Sequence, residues 1–346
     1  MDVLSIGILA HDEAAIIGRT IASLAAQTIF DPTRAAALGL AAVEIVVVPN
    51  GCSDATAGVA RQALAHLPAH VAVHVRDLAE PGKSNAWNRF VHDLSRADAT
   101  LLTLMDADIS FATDDVIERL VRRMGDDPPC DAATDVPEKD FRGRRLTLFD
   151  RFSRRASRQQ TGGGGLCGQL YCARADVLRR IWLPHGLPVE DGFLAAMLVT
   201  AGFTQPPAHG AIACVAGARH YYETHAGVAA FVRHEARIVV GSVINAWLFA
   251  LLWEAGKRGH AGDFVRRRNA EDPHWVETVC SEARAERGRW LVPRAFVLWR
   301  LAPLRHQPWR RKALRTPVAV AATLATLPAV MRANAILRRP AARLHW

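Results

Sequence analysis

Strand-like and helix-like stretches alternate through the first 105 residues, and this alternation limits the possible folds more than any other feature of the chain. VLSIGILA (3–10), VEIVVVP (43–49), VAVHV (71–75) and TLLTLM (100–105) are β-rich apolar runs, of which the second reads as fully buried. Between them EAAIIGRTIASLAAQ (13–27), SDATAGVARQALAHL (53–67) and KSNAWNRFVHDLSR (83–96) have helical spacing, and the second opens on a Ser/Asp cap. The pattern predicts an α/β fold with a Rossmann-like, mostly parallel sheet and covering helices. Ligands of such sheets gather at the carboxyl ends of the strands.

The fourth strand ends in two aspartates, Asp106 and Asp108, within LLTLMDADIS. A buried strand accommodates two carboxylates only where positive charge meets them, and the i, i+2 spacing puts both on one side. Hard oxygen ligands of this kind suit Mg²⁺ or Mn²⁺ with coordination positions left for phosphate. A solvated turn or helix cap would use the same residues. GKS at 82–84 is no P-loop, because position 77, where the first glycine belongs, is Asp77. The chain also lacks a strand-borne GxGxxG, which argues against a dinucleotide oxidoreductase.

Taken in order, these motifs resemble the family 2 glycosyltransferases of the GT-A fold over about residues 3–240. LAHDEAAIIGRTIASLAAQ resembles that family's opening strand and helix, with Asp12 and Glu13 on its Asn-Glu pair. VVVPNGCSDAT resembles its second-strand DDGSxDxT stretch, with Asn50 where an aspartate that contacts the nucleobase is common, and with Asp54 kept. EPGKSNAWN resembles the GKxxALN element, MDAD the metal-binding DxD, and GLPVEDGFLAAMLVTAGF the acceptor-side ED motif.

The resemblance implies an enzyme, a metal-dependent and non-processive transferase moving a sugar from a nucleotide-diphosphate donor, a UDP-sugar ahead of a GDP-sugar, to a hydroxyl acceptor. Its leaving diphosphate needs a cation, Mn²⁺ or Mg²⁺, and an inverting reaction needs a base for the acceptor's proton. Asp108 is the implied metal ligand, and Asp106 holds the ribose or the metal's water. Lys83 adds charge near the diphosphate, or pairs with Glu80. Asp191 is the candidate base with Glu190 beside it; simple capping of the following helix is the alternative role for both. In ARHYYETH (218–225), His220, ahead of His225, stands where some relatives supply a third metal ligand. The QxxRW signature of processive relatives is reduced here to His234-Glu235-Ala236-Arg237-Ile238, which argues against polymer synthesis. Arg237 remains as a diphosphate contact or a partner of Glu235. A retaining GT-A transferase, which needs no base, is a second possibility.

Past residue 130 the pattern loosens into a stretch with RGRR (142–145) and TGGGGLCG (161–168), whose glycines (162–165) suit either close approach to a sugar or donor, or a flexible linker. The expected division is a nucleotide-sugar transferase domain over 1–230 and a helical, basic C-terminal region over 231–346. Charge follows the same division. Residues 1–141 hold 11 Lys+Arg against 21 Asp+Glu, net −10, whereas residues 142–346 hold 32 against 13, net +19. The basic half calls for an anionic neighbour.

Trp299, Trp309 and RHQPWRRKALR (305–315) suit an anionic membrane surface, or form a solvated basic helix. The expected acceptor is a saccharide or a lipid-linked hydroxyl. A noncatalytic nucleic-acid-binding module would also use such charge, but no RRM, KH or zinc pattern accompanies it, so no nucleic-acid partner is expected. The uncharged runs Ile238–Trp253 and Thr316–Met331 are each 16 residues, short of the ~20 of a spanning helix, and read as core or interfacial helices. Six scattered cysteines form neither a zinc pattern nor a disulfide framework. With an N-terminus that reads as a strand, they point to the cytoplasm, with a peripheral seat on the inner face of the cytoplasmic membrane.

Overall fold

A computed structural model describes residues 2–140, 165–223 and 227–339. RGRR and most of the glycine tract lie outside the described residues, as does His225. The chain divides into two compact units. The first comprises Met1–His185, Glu190–Thr224 and Ala255–Arg267, and the second Gly186–Val189, His225–Glu254 and Arg268–Trp346.

The first unit is built on one eight-stranded sheet. Its strands are β1 (Asp2–Ala10), β2 (Leu40–Pro49), β3 (Ala72–Val75), β4 (Leu101–Asp106), β5 (Ile109–Phe111), β6 (Ala132–Lys139), β7 (Leu170–Arg174) and β8 (Ile212–Tyr222). They lie in the order β3-β2-β1-β4-β7-β6-β8-β5. The first four run parallel, as the alternation predicts, and β7 is antiparallel to both β4 and β6. The sheet is therefore mixed and mostly parallel. Helices α1 (Ile17–Ala25), α2 (Pro32–Ala37), α3 (Thr56–Leu64), α4 (Lys83–Arg89), α5 (Val116–Gly125), α6 (Ala175–Leu178) and α7 (Glu190–Val199) connect and cover it.

Alternate residues of β1 (Leu4, Ile6, Ile8) join Ile45 and Val47 of β2 and Ile17, Ile21 and Leu24 of α1 in the core. That packing fixes where each strand ends, and so where the loops beyond emerge. Three strands beyond residue 130 escape the period-2 pattern. β6 begins Ala132-Ala133-Thr134-Asp135 and β7 carries Tyr171-Cys172-Ala173; all are buried, yet the alanines, the cysteine and the aspartate give little β signal.

Helix α8 (Val228–Gly256) runs from the second unit into the first; α9 (Ala261–Glu271) begins in the first unit and ends in the second. The second unit continues with α10 (Trp275–Arg287), α11 (Arg294–Leu298) and α12 (Trp309–Leu337). On α8 Val240, Val243, Ile244, Leu248 and Leu252 are buried, on α10 Trp275 and Val276, and on α12 Ala329, Val330 and Ala333. Asn334 ties α12 to the segment before α11, accepting from Leu291 N at 2.7 Å and donating to Arg289 O at 3.2 Å. The uncharged 16-residue runs sit inside longer helices: Ala229–Gly256 and Trp309–Leu337, of 28 and 29 residues, are long and apolar enough to cross a membrane.

Candidate functional site

The loops beyond β1, β2 and β3 are knitted together by their own side chains. Past Ala10 the backbone turns left-handed at Asp12 (φ 53°), a costly geometry for a residue with a Cβ. Its carboxylate offsets that cost by accepting from Ser53 N at 2.6 Å and Asp54 N at 3.3 Å. Asp54 answers in the opposite direction, accepting from Ala14 N at 3.0 Å and from the amide and hydroxyl of Thr56. These donors hold both carboxyls below the ordinary aspartate range, Asp12 chiefly through Ser53 N–H and Asp54 chiefly through the Thr56 hydroxyl.

Asn50 is buried, donates to Ala10 O at 2.7 Å and accepts from Gly82 N at 3.0 Å. Its amide therefore links the ends of β1 and β2 to the residue that precedes Lys83. Gly51, at φ +56°, passes so close to Pro81 that a Cβ would lie 2.7 Å from its Cα. Only glycine fits that crossing.

Lys83 stands at the first turn of α4, and its ammonium lies 2.7 Å from Asp106 Oδ1 and 2.7 Å from Glu190 Oε1. Burial works against that charge. Asp106 and Glu190 outweigh it and lift the lysine well above its ordinary pKa, so Lys83 stays protonated. Its partners come from β4 and α7, and not from nearby Glu80.

Glu13 shows the opposite imbalance. Burial, then the charges of Asp108, Asp106, Asp54 and Glu223, push its carboxyl up to about 7. The loops thus gather more negative charge than Lys83 neutralises. Hard oxygens in excess of their counter-charge are the chemistry a divalent cation such as Mn²⁺ or Mg²⁺ requires, and Asp106, Asp108 and Glu13 supply such oxygens.

The cleft beside Lys83 is lined by Leu9, Trp87, Tyr171, Gly168, Glu190 and Asp191. Asp191 is the second residue of α7, where its Oδ1 accepts from Gly192 N at 2.7 Å. It packs so tightly on the loop before β7 that a Cβ at Gly168 would lie 2.7 Å from its own Cβ. Trp87 donates from Nε1 to the Tyr171 hydroxyl at 2.6 Å, which fixes the back wall. Gly168, Trp87 and Tyr171 are site residues that the motifs did not single out. Trp87 lies inside EPGKSNAWN, while Gly168 and Tyr171 carry no local signal.

His220 is fully buried on β8, with Nδ1 2.6 Å from Asp135 Oδ2 and Nε2 3.4 Å from Gln169 Oε1. Arg237 is exposed on α8 in the second unit, where Glu235 pairs with Arg300 at 3.3 Å.

The sequence model of the family described as Glycosyl transferase family 2 matches residues 5–182. No curated protein matches the chain significantly. Among solved structures, the mannosyltransferase PcManGT from Pyrobaculum calidifontis, in complex with GDP-Man and Mn²⁺, is 16% identical with a TM-score of 0.54. That match covers 97% of this chain and 86% of the other. TarS 1–349 from S. aureus, in complex with UDP-GlcNAc, is 15% identical with a TM-score of 0.46, over 96% and 92% of the two chains. Glucosyl-3-phosphoglycerate synthase from Mycobacterium tuberculosis, in complex with Mn²⁺, UDP and phosphoglyceric acid, is 20% identical with a TM-score of 0.44, over 69% and 78%.

Proposed function

The chain belongs to glycosyl transferase family 2, and from that premise we propose that it moves a sugar from a UDP-linked donor, or a GDP-linked one, to a hydroxyl acceptor by inverting, non-processive displacement. The observation that carries this reading is the Lys83 ammonium, 2.7 Å from a carboxylate at the end of β4 and 2.7 Å from one at the start of α7. One cleft thereby holds both a donor-side and an acceptor-side acid.

Asp108, Asp106 and Glu13 would hold the divalent ion, Mn²⁺ or Mg²⁺, which supplies positive charge to the leaving diphosphate when bound. Lys83 stays protonated and contributes a second positive group to the same oxygens. The braced loops of Asp12, Asn50 and Asp54 form the nucleotide's floor. Asp191 Oδ2 accepts the acceptor hydroxyl's proton, and the close seat on Gly168 fixes the direction from which that hydroxyl attacks. Glu190 holds Lys83 in place.

The test is a panel of nucleotide sugars with Mn²⁺, read by release of nucleoside diphosphate and by NMR of the product anomer. Unchanged turnover in Asp108→Asn would remove the metal assignment, and a retained anomer would remove Asp191 as base.

The acceptor is assigned to an anionic membrane surface on the cytoplasmic side, as a lipid-linked hydroxyl. Every exposed large hydrophobic among the described residues falls between Ile238 and Met331. On α12 Val320, Leu324, Leu327 and Met331 repeat at spacings of 4, 3 and 4 and form one apolar stripe. Arg310, Arg311, Lys312 and Arg315 lie just before it, beside Trp309, which is 74% exposed. Basic residues next to an apolar stripe match the headgroups and acyl boundary of an anionic bilayer. Flotation with phosphatidylglycerol vesicles is expected to carry the protein upward, and flotation with phosphatidylcholine vesicles to leave it behind. Equal behaviour with both would overturn this seat.

A further inference from the structure

β6, the loop before β7 and β8 bring together three side chains of another chemical kind. The ligand atoms of Asp135, Cys167 and His220 all lie within 4.8 Å of one another. Asp135 and His220 are 2% and 0% exposed, and Cys167 is half-buried. Asp135 spends one oxygen, Oδ2, on His220 Nδ1 at 2.6 Å, while its Oδ1 is buried with no hydrogen-bond partner. Such an oxygen costs about 1–3 kcal/mol unless something positive meets it. Cys167 N donates to Thr134 Oγ1 at 3.0 Å, which pins the residue beside β6. Gln169 Oε1 stands 3.4 Å from His220 Nε2 and offers a further oxygen.

A thiol, an imidazole and a carboxylate form a borderline-soft donor set. It differs from the all-oxygen set of Asp106, Asp108 and Glu13, which selects hard cations. We propose that Asp135, Cys167 and His220 bind a thiophilic divalent ion of the zinc class, separate from the cation of the sugar-transfer site. His220, which the family resemblance would assign to the donor's cation, belongs to this second ion. Zinc bonds of about 2.0–2.3 Å set tetrahedral ligands roughly 3.3–3.7 Å apart, so the Asp135–His220 contact opens by about 1 Å on binding. The Cys167 thiol gives up its proton to solvent as the ion arrives. The consequence is mechanical as well as chemical. Gln169 O accepts from Asp106 N at 3.0 Å, so an ion that anchors Cys167 and His220 stiffens the strand start supporting the acid pair.

The experiment uses the full chain, stripped with EDTA, dialysed against Mg²⁺ and titrated with Co²⁺, then separately with Zn²⁺. The expected result is a thiolate-to-cobalt charge-transfer band and one tightly held zinc per chain. Cys167→Ser and Asp135→Asn should weaken binding at least about tenfold. Cys52→Ser should leave it unchanged, as should Asp108→Asn; Cys52 probes the other cysteine-containing cluster, Asp12, Cys52 and Asp54. Absence of the band, or its loss in Cys52→Ser alone, would overturn the proposal. Zinc-edge absorption on the unmutated protein decides the matter even if a variant fails to fold, because a shell with one sulfur supports the site and a shell of oxygen and nitrogen alone refutes it.

Discussion

The two units treat their apolar side chains differently. In the first, the large hydrophobics of β1 and β4 are buried between sheet and helices, and no large hydrophobic among its described residues is exposed. In the second, helices with buried faces also present Trp309, Val318, Leu324 and Met331 outward, at 74%, 59%, 59% and 66% exposure. A unit that hides its apolar surface is complete as a folded body, and its remaining polarity can be concentrated in one cleft. A unit that leaves such surface open offers it to a partner or an interface. On the proposed reading, chemistry belongs to the first unit and location to the second.

The sharpest way to break that division is to disable one unit and measure the other's task. Asp108→Asn is expected to lower kcat by on the order of 10²–10³ while vesicle binding and Tm stay within error, because a charge that steadies the leaving group acts mainly in the transition state. Next in size, Arg310→Gln, Arg311→Gln and Lys312→Gln combined are expected to weaken binding to phosphatidylglycerol vesicles by on the order of 100-fold, at about 1 kcal/mol per charge. Turnover of a soluble acceptor should not change. If it falls in parallel, the second unit takes part in catalysis and the division fails.

Gly168→Ala sharpens the picture inside the cleft. The new methyl would meet Asp191 Cβ at 2.7 Å, and an ångström-scale displacement of a base costs about tenfold or more in kcat. Substrate-independent stability should be little altered, because the shift is confined to a loop.

The smallest effect is a pH dependence. Glu13 titrates near 7 in the folded chain against 4.5 for the free side chain, so between those values the native state binds the extra proton. Stability must then fall as pH rises from about 4.5 to 7 and level off above. Thermal melts without divalent ions should show this decline, Glu13→Gln should flatten it, and Mn²⁺ should stabilise more at pH 8 than at pH 5.5.

The readable part of the fold is the part whose strands are buried on both faces. VLSIGILA and VEIVVVP announce themselves because their short, largely apolar, β-branched runs are what a central parallel strand carries. Beyond residue 130 burial falls on alanine, cysteine and threonine, whose small side chains carry no period, so β6, β7 and β8 were not legible. The acid pair at the end of β4 was legible by the same logic, as charge where a strand should stay apolar. That Lys83 stands near it was legible in EPGKSNAWN, but the carboxylates it pairs with were not. The chain offers Glu80 within one turn of Lys83, yet the folded protein supplies Asp106 and Glu190, joined by topology alone. Gly168 against Asp191, and Asp135 against His220, likewise depend on which strands become neighbours.

The doubly paired ammonium of Lys83 has an energetic corollary. Two carboxylates from opposite sides of the cleft draw on a single counter-ion, so whatever occupies one side alters the electrostatic cost of occupying the other. On the proposed reading, with donor and acceptor on the two sides, thermodynamic reciprocity couples their affinities through this amine, and removing it should weaken that coupling.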